Sequence, residues 1–141
     1  MGSEMCIRDR HSPDHFIVDT KAGQKITFGL GDYAAVNLVQ GRQSWSVSEV
    51  NDSTGNNPIH YKYIVDGNKQ YLDSIEYVGG KVGFSYEERA DKNTLYVSSS
   101  KVDAKKRLQS IATYYDNTVL RKYHLTSVSY THLTLPTIYS V

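Results

Sequence analysis

Apolar and aromatic residues recur at every second position in several runs of this chain, the period of a strand that presents one side-chain row to each face. Phe16 and Val18 alternate before Lys21-Ala22-Gly23, and Ile26 and Phe28 alternate after it, which is a hairpin pattern. Ile59, Tyr61 and Tyr63 form a second alternating set, Val82, Phe84 and Tyr86 a third, and Val119, Arg121, Tyr123 and Leu125 a fourth. Between these runs lie Asn51-Asp52-Ser53-Thr54-Gly55-Asn56, Asp66-Gly67-Asn68, Gly79-Gly80 and Asp116-Asn117. Such residues tolerate turn dihedrals or hydrogen-bond their own backbone. The predicted fold is all-β, an antiparallel meander of repeated hairpins forming a curved sheet. Only around Val102 to Leu108 would a short helix fit, and Ser98-Ser99-Ser100 and Asp103 offer it no sustained period.

A degenerate repeat runs through the meander. Val47-x-x-Val50, Leu72-x-x-Ile75 and Leu108-x-x-Ile111 each precede a polar or glycine turn and an alternating run. The copies are 25 residues apart from Val47 to Leu72 and 36 from Leu72 to Leu108. Insertions of this kind belong in loops, and Arg89 to Lys106 is where one is expected.

The two ends carry a different signal. Glu4 to Arg10 can be encoded by GAG ATG TGT ATA AGA GAC AGA, and Ser127 to Leu133 by TCT GTC TCT TAT ACA CAT CTC, the exact reverse complement. The shared core resembles the transposase end sequence of tagmentation adapters, and Gly2-Ser3 and Thr134 to Thr137 resemble further adapter. Residues 1–10 and 127–141 are therefore expected to be adapter-derived, leaving 11–126 as a segment of a larger protein whose frame continues both ways. Residues 1–10 should be extended and weakly packed. Residues 128–141 alternate well enough to be captured as a strand by a sheet edge. Cys6, the only cysteine, falls in the first of these stretches.

Setting the ends aside removes Arg8, Arg10, Glu4 and Asp9, so 16 bases and 15 acids become 14 and 13. The balance stays near neutral, with no basic stripe of the kind that neutralises phosphates, and nucleic-acid binding has no electrostatic support. No apolar run reaches the length of a membrane-spanning helix. Ten of the 12 tyrosines remain, with Trp45 and three phenylalanines, a composition that favours strands.

At this point the residues carry a resemblance. Trp45 to Tyr63 (Trp-Ser-Val-Ser-Glu-Val-Asn-Asp-Ser-Thr-Gly-Asn-Asn-Pro-Ile-His-Tyr-Lys-Tyr) resembles the unit of RHS/YD-repeat proteins that runs strand, aspartate, glycine-asparagine, then a strand ending in tyrosine. Tyr71 to Tyr77, Val82 to Asp91, Arg107 to Ile111 and Arg121 to Leu125 follow in the order seen in B components of bacterial insecticidal Tc toxins, which join an SpvB-like N-terminal domain to RHS-type shell sequence. Phe16 to Gly29 resembles the hairpin that precedes this unit there. Ala90 departs from the proline usual after the arginine, and Lys92 to Ala104 is more polar than in the relatives. The resemblance implies a segment of an RHS-type hollow shell, a long spiralling sheet that encloses a toxic C-terminal polypeptide. It implies as partners the remainder of that shell, a companion C-type subunit and the enclosed polypeptide, and a secreted or extracellular location. No enzymatic activity and no cofactor are expected.

Candidate chemistry is weighed against that structural role. Glu87, Glu88 and Asp91 cluster, but glycoside hydrolysis needs two carboxylates facing one sugar, and strand alternation puts Glu87 and Glu88 on opposite faces. His11, His15, His60 and His124 show no metal-ligand spacing. Ser44, Ser46 and Ser48 lack a nucleophile elbow, and Gly29-Leu-Gly31 reads as a turn, not a phosphate loop. The second function class is a binding module of an RHS-like adhesin. In it Tyr61, Tyr63, Phe84, Tyr86 and Tyr123 form a platform that stacks on glycan rings or on a partner protein.

Overall fold

The computed structural model describes residues 13–130 and 133–140. The expectation for residues 1–10 lies outside them. Alternation produces strands where it was read: β1 (Phe16–Asp19) and β2 (Lys25–Phe28) flank the Lys21-Ala22-Gly23 turn, followed by β3 (Ala35–Leu38), β4 (Gly41–Trp45) and β5 (Val47–Asn51). Then come β6 (Ile59–Asp66), β7 (Lys69–Tyr77), β8 (Gly80–Val97), β9 (Ser100–Tyr115), β10 (Thr118–Tyr130) and β11 (Leu133–Ser140). Nine strands pair antiparallel in one sheet of order β1-β2-β5-β6-β7-β8-β9-β10-β11, which curls into a half-barrel, and β3-β4 form a separate ribbon. As expected for residues 128–141, β11 is a strand paired along the outer edge of β10.

The register assigns one face to apolar residues across the whole sheet. Val18 faces Ile26, which faces Val50 and then Ile59; Phe16 faces Phe28, which faces Val47. Tyr61, Ile75 and Val82 form a further row on the same face that runs out into Thr113 and Arg121, while Tyr63 faces Leu72 and Tyr86 faces Leu108. The opposite face is polar. Glu49, His60, Glu76 and Lys81 are cross-strand neighbours there, with His60 Nδ1 3.5 Å from Glu49 and Glu76 bridged by Lys62 at 2.7 Å and Lys81 at 3.6 Å. Ser74, Gly83 and Ala112 form a small-residue row on the same face, and Ser74 is only 1% exposed. The Tyr114 ring lies over part of this row, 3.3 Å from where a Cβ at Gly83 would stand. The described chain has no second layer of packed apolar side chains; its buried residues are mostly alanine, serine and threonine.

Three departures from the sequence reading have local causes. The stretch Arg89 to Lys106, expected as a loop, belongs to a long paired arm of β8 and β9, which opens only where Arg89 to Lys92 stand opposite Lys105. Val102 to Leu108, the one place a helix would fit, is strand in β9. The β-prone run Thr94-Leu95-Tyr96-Val97 supplies its partner, and Ser98-Ser99 turn the chain with φ of 47° and 62°. Two-residue turns with both φ positive match strand twist and usually carry glycine or asparagine, as at Gly67-Asn68 here, so the serine pair gave no turn signal. Finally, Leu120 is an extra residue in β10, so Val119 faces Tyr114 while Arg121 faces Thr113. Val119 thereby leaves the row of Arg121, Tyr123 and Leu125.

The β3-β4 ribbon was not anticipated. It is inserted between β2 and β5, where Ser46 N donates to the Ala34 carbonyl and Gly29 N to that of Ser46. Trp45 packs edge-on against Phe16 at 4.9 Å and donates Nε1–H to the Pro13 carbonyl at 2.8 Å. Gly29 lies under the indole with φ +79°, and a Cβ there would sit 2.4 Å from Trp45 Cδ1 and 3.1 Å from the Asp14 carbonyl. Gly29→Ala should therefore cost on the order of 2–4 kcal/mol, combining left-handed strain with the clash. Chemical denaturation of the variant beside Gly31→Ala, whose Cβ would meet open space, checks that packing under Trp45 and not φ alone sets the loss.

Candidate functional site

Each Φ-x-x-Φ segment is a β-bulge. In a regular strand, residues three apart point to opposite faces; one extra residue returns them to the same face. The register shows this three times. Ser48 is extra between Val47 and Val50 against β2, Asp73 between Leu72 and Ile75 against β6, and Gln109 between Leu108 and Ile111 against β8. The spacing noted in the sequence is thus the mark of the bulge, a signal that was present and not interpreted.

Bulges also part the hairpins. β5 and β6 pair only at Glu49–His60 and Val50–Ile59, and β7 and β8 only from Ser74–Gly83 to Tyr77–Gly80. Beyond those pairs the strands diverge and their backbone groups need other partners. Tyrosines provide them. Tyr63 Oη donates to the Val47 carbonyl at 2.7 Å, and Tyr86 Oη to the Leu72 carbonyl at 2.6 Å. Both acceptors are the first residue of a bulge segment, and both donors stand four residues past the residue paired with its last one. In the second split Tyr71, 9% exposed, packs edge-on against Tyr86 at 5.2 Å and accepts a bond from Lys106 N at 3.3 Å. Further links cross the same gaps: Lys106 to Asp66 at 3.1 Å, Asn68 Nδ2 to the Lys101 carbonyl at 3.0 Å, and Ser46 Oγ to Gln70 Oε1 at 2.6 Å. The ribbon joins in through Val39 N on Ser100 Oγ and Ser98 Oγ on Gln43.

The five residues singled out as a platform therefore lie on one face in two groups. Phe84 and Tyr123 flank Ile111 in one cross-strand row, Tyr86 stands beyond Phe84, and Tyr61 and Tyr63 lie on β6. All five rings are half-buried. Among the described residues the strongly exposed tyrosines are others, Tyr33, Tyr77, Tyr96 and Tyr115. Tyr77, Tyr114 and Tyr115 line a cleft of about 780 Å³ with Glu76, Asp73 and Gly83. Among the acids considered for catalysis, Glu87 accepts from Arg107 Nε at 2.5 Å, Asp91 from Arg89 at 2.8 Å, and Glu88 lies 4.0 Å from Lys92. Each is matched to a base on the strand surface. At the turn after β5, Asp52 accepts bonds from Asn57, Thr54 and Gly55, which hold its carboxyl down to about 2. That aspartate fixes the turn of the first repeat.

No protein-family model and no curated protein matches this sequence. Solved structures do. The N-terminal domain of effector protein SpvB from Salmonella typhimurium strain LT2 superposes with a TM-score of 0.80 at 13% identity, over 94% of this chain and 62% of that one. The chain carries the SpvB/Tc-type fold. The TcdB2-TccC3-Cdc42 structure matches with a TM-score of 0.73 at 12% identity over 85% of this chain, and the Photorhabdus luminescens Tc holotoxin pore at 0.73 and 10% over 89%. This chain spans under two thirds of the SpvB domain's length and about a tenth of the Tc chains. In this sheet the tyrosine bonds couple one hairpin to the next where the backbone ladders stop, together with the Lys106–Asp66, Asn68–Lys101 and Ser46–Gln70 links.

Removing either hydroxyl should show this directly. Tyr63→Phe and Tyr86→Phe should each lower stability by about 1–2 kcal/mol, since a half-buried carbonyl loses its donor, whereas Tyr115→Phe, 61% exposed, should stay within about 0.5 kcal/mol. Burial raises both clamp phenols above the ordinary 10.0, with Tyr61 adding at Tyr63 and the Asp73 charge at Tyr86. A phenol raised in the folded state stabilises fully below its unfolded value and loses that contribution as pH rises through the folded one. Melting curves should accordingly fall above pH 10 for the parent and more shallowly for the doubly substituted Tyr63→Phe, Tyr86→Phe chain.

Proposed function

We propose that this chain is a non-catalytic structural segment of a bacterial toxin-complex or RHS-type shell that encloses a toxic C-terminal polypeptide. The observation that carries this reading is a sheet built by adding hairpins edge to edge, coupled through bulge carbonyls and tyrosines and lacking a second packed layer. Such a wall extends by repetition and can surround a volume. The fold shared with SpvB and Tc structures supports the same reading, as do the ion pairs that occupy Glu87, Glu88 and Asp91. Residues 11–126 are the segment itself, flanked by adapter-derived 1–10 and 127–141. Its partners are the rest of its own shell, a companion C-type subunit and the enclosed polypeptide, and the assembled protein is secreted. The adhesin reading, with Tyr61, Tyr63, Phe84, Tyr86 and Tyr123 as a glycan or protein platform, has less support, because two of those hydroxyls are committed to backbone carbonyls.

The test begins with the source DNA, read outward from both ends of the insert, and continues with the full-length product. The frame should run into further strand-turn-strand repeats with an SpvB-like region upstream. In limited proteolysis the C-terminal polypeptide of the intact protein should survive until the shell is denatured. A frame that closes into a short secreted domain, or a C-terminal polypeptide cleaved as fast in the intact protein as when freed, contradicts the proposal.

A further inference from the structure

Pairing between successive hairpins stops at an equivalent place three times. The last pairs before the strands part are Glu49–His60, Ser74–Gly83 and Ser110–His124. Three residues past His60 is Tyr63, whose hydroxyl holds the Val47 carbonyl; three past Gly83 is Tyr86, on the carbonyl of Leu72. Three past His124 is position 127, and the matching bulge residue across the gap is Leu108. The sequence has serine at 127. It is also the first residue of the stretch that can be encoded by the reverse complement of codons for Glu4 to Arg10.

The repeat is self-propagating up to this point. Tyr63 is paired across its own hairpin with Leu72, the acceptor for Tyr86, and Tyr86 is paired with Leu108. Each clamp donor is therefore held opposite the bulge that receives the next one. At the corresponding place in β11, position 127 is paired with Pro136, which has no N–H to give to a neighbouring strand.

We propose that the split between β9 and β10 is closed in the natural chain by a third clamp, a tyrosine at position 127 whose hydroxyl donates to the Leu108 carbonyl. On this reading β10 is the first strand of the next hairpin of the repeat, and β11 occupies the place of that hairpin's second strand. This inference rests on reading the chain as one segment of a longer array, and its test separates the two. In the 141-residue chain, Ser127→Tyr is compared with Ser127→Phe, and the parent with Tyr86→Phe as the reference clamp. The tyrosine variant should melt above the phenylalanine variant by about 2–8 °C, the interval expected for one hydroxyl bond in a chain of this size, and similar to that between the parent and Tyr86→Phe. Equal melting of the two position-127 variants, with Tyr86→Phe still lowered, overturns the third clamp and leaves the array reading standing. If Tyr86→Phe melts with the parent, the clamp device itself is overturned. Independently, the first codon after Thr126 in adapter-free source DNA should encode tyrosine, and a residue without a phenol there overturns the assignment of the natural residue.

Discussion

A phenol donating to a bulge carbonyl is the interaction on which the rest of this sheet depends. A bulge is what lets the strand turn away from its neighbour and the sheet curl, and its cost is a set of backbone groups left without ladder partners. At Val47 and Leu72 the tyrosine of the following strand satisfies that carbonyl and wedges its ring into the opening. Curvature and cohesion therefore come from the same two residues, one in each strand. Without the tyrosine the hairpins would be joined by short ladders near their turns and by the few polar links further out, such as Lys106 to Asp66.

The remaining forces fit this arrangement. An apolar row on one face and an ion-pair ladder on the other give the sheet two chemically distinct faces without a packed second layer among the described residues. Burial falls on small residues such as Ser74, Ser110 and Ala112. The long β8-β9 arm and the β3-β4 ribbon meet at Ser98, Ser100, Val39 and Gln43 and brace the open ends of the hairpins. A wall of this kind gains stability with each added unit, as in other repeat architectures.

Much of this was legible in the sequence. Period-two alternation located β1, β2, β6 and the paired halves of β8 and β10, and Gly67-Asn68 and Asp116-Asn117 marked their turns. The Φ-x-x-Φ repeat marked the bulges, although its meaning emerged only from the register. The ribbon was missed because Ala35 to Leu38 and Gly41 to Trp45 are short and carry no sustained alternation, and the arm because a Ser-Ser turn lacks the usual glycine or asparagine. Tyr63 and Tyr86 stand out in the sequence as members of alternating rows, but from sequence alone a ring that stacks on a ligand and a ring that closes a split look alike. Which carbonyl a phenol reaches depends on where two strands diverge, a tertiary fact.

Amide hydrogen exchange across the β7–β8 split, compared between the parent and Tyr86→Phe, tests the coupling most directly. The account predicts faster exchange at Tyr71 to Ser74 and at Lys106 to Leu108 when the hydroxyl is lost, with β1, β2 and β5 unchanged. Exchange that rises uniformly over the sheet, or that does not rise at the split at all, would contradict the claim that this bond holds one hairpin to the next.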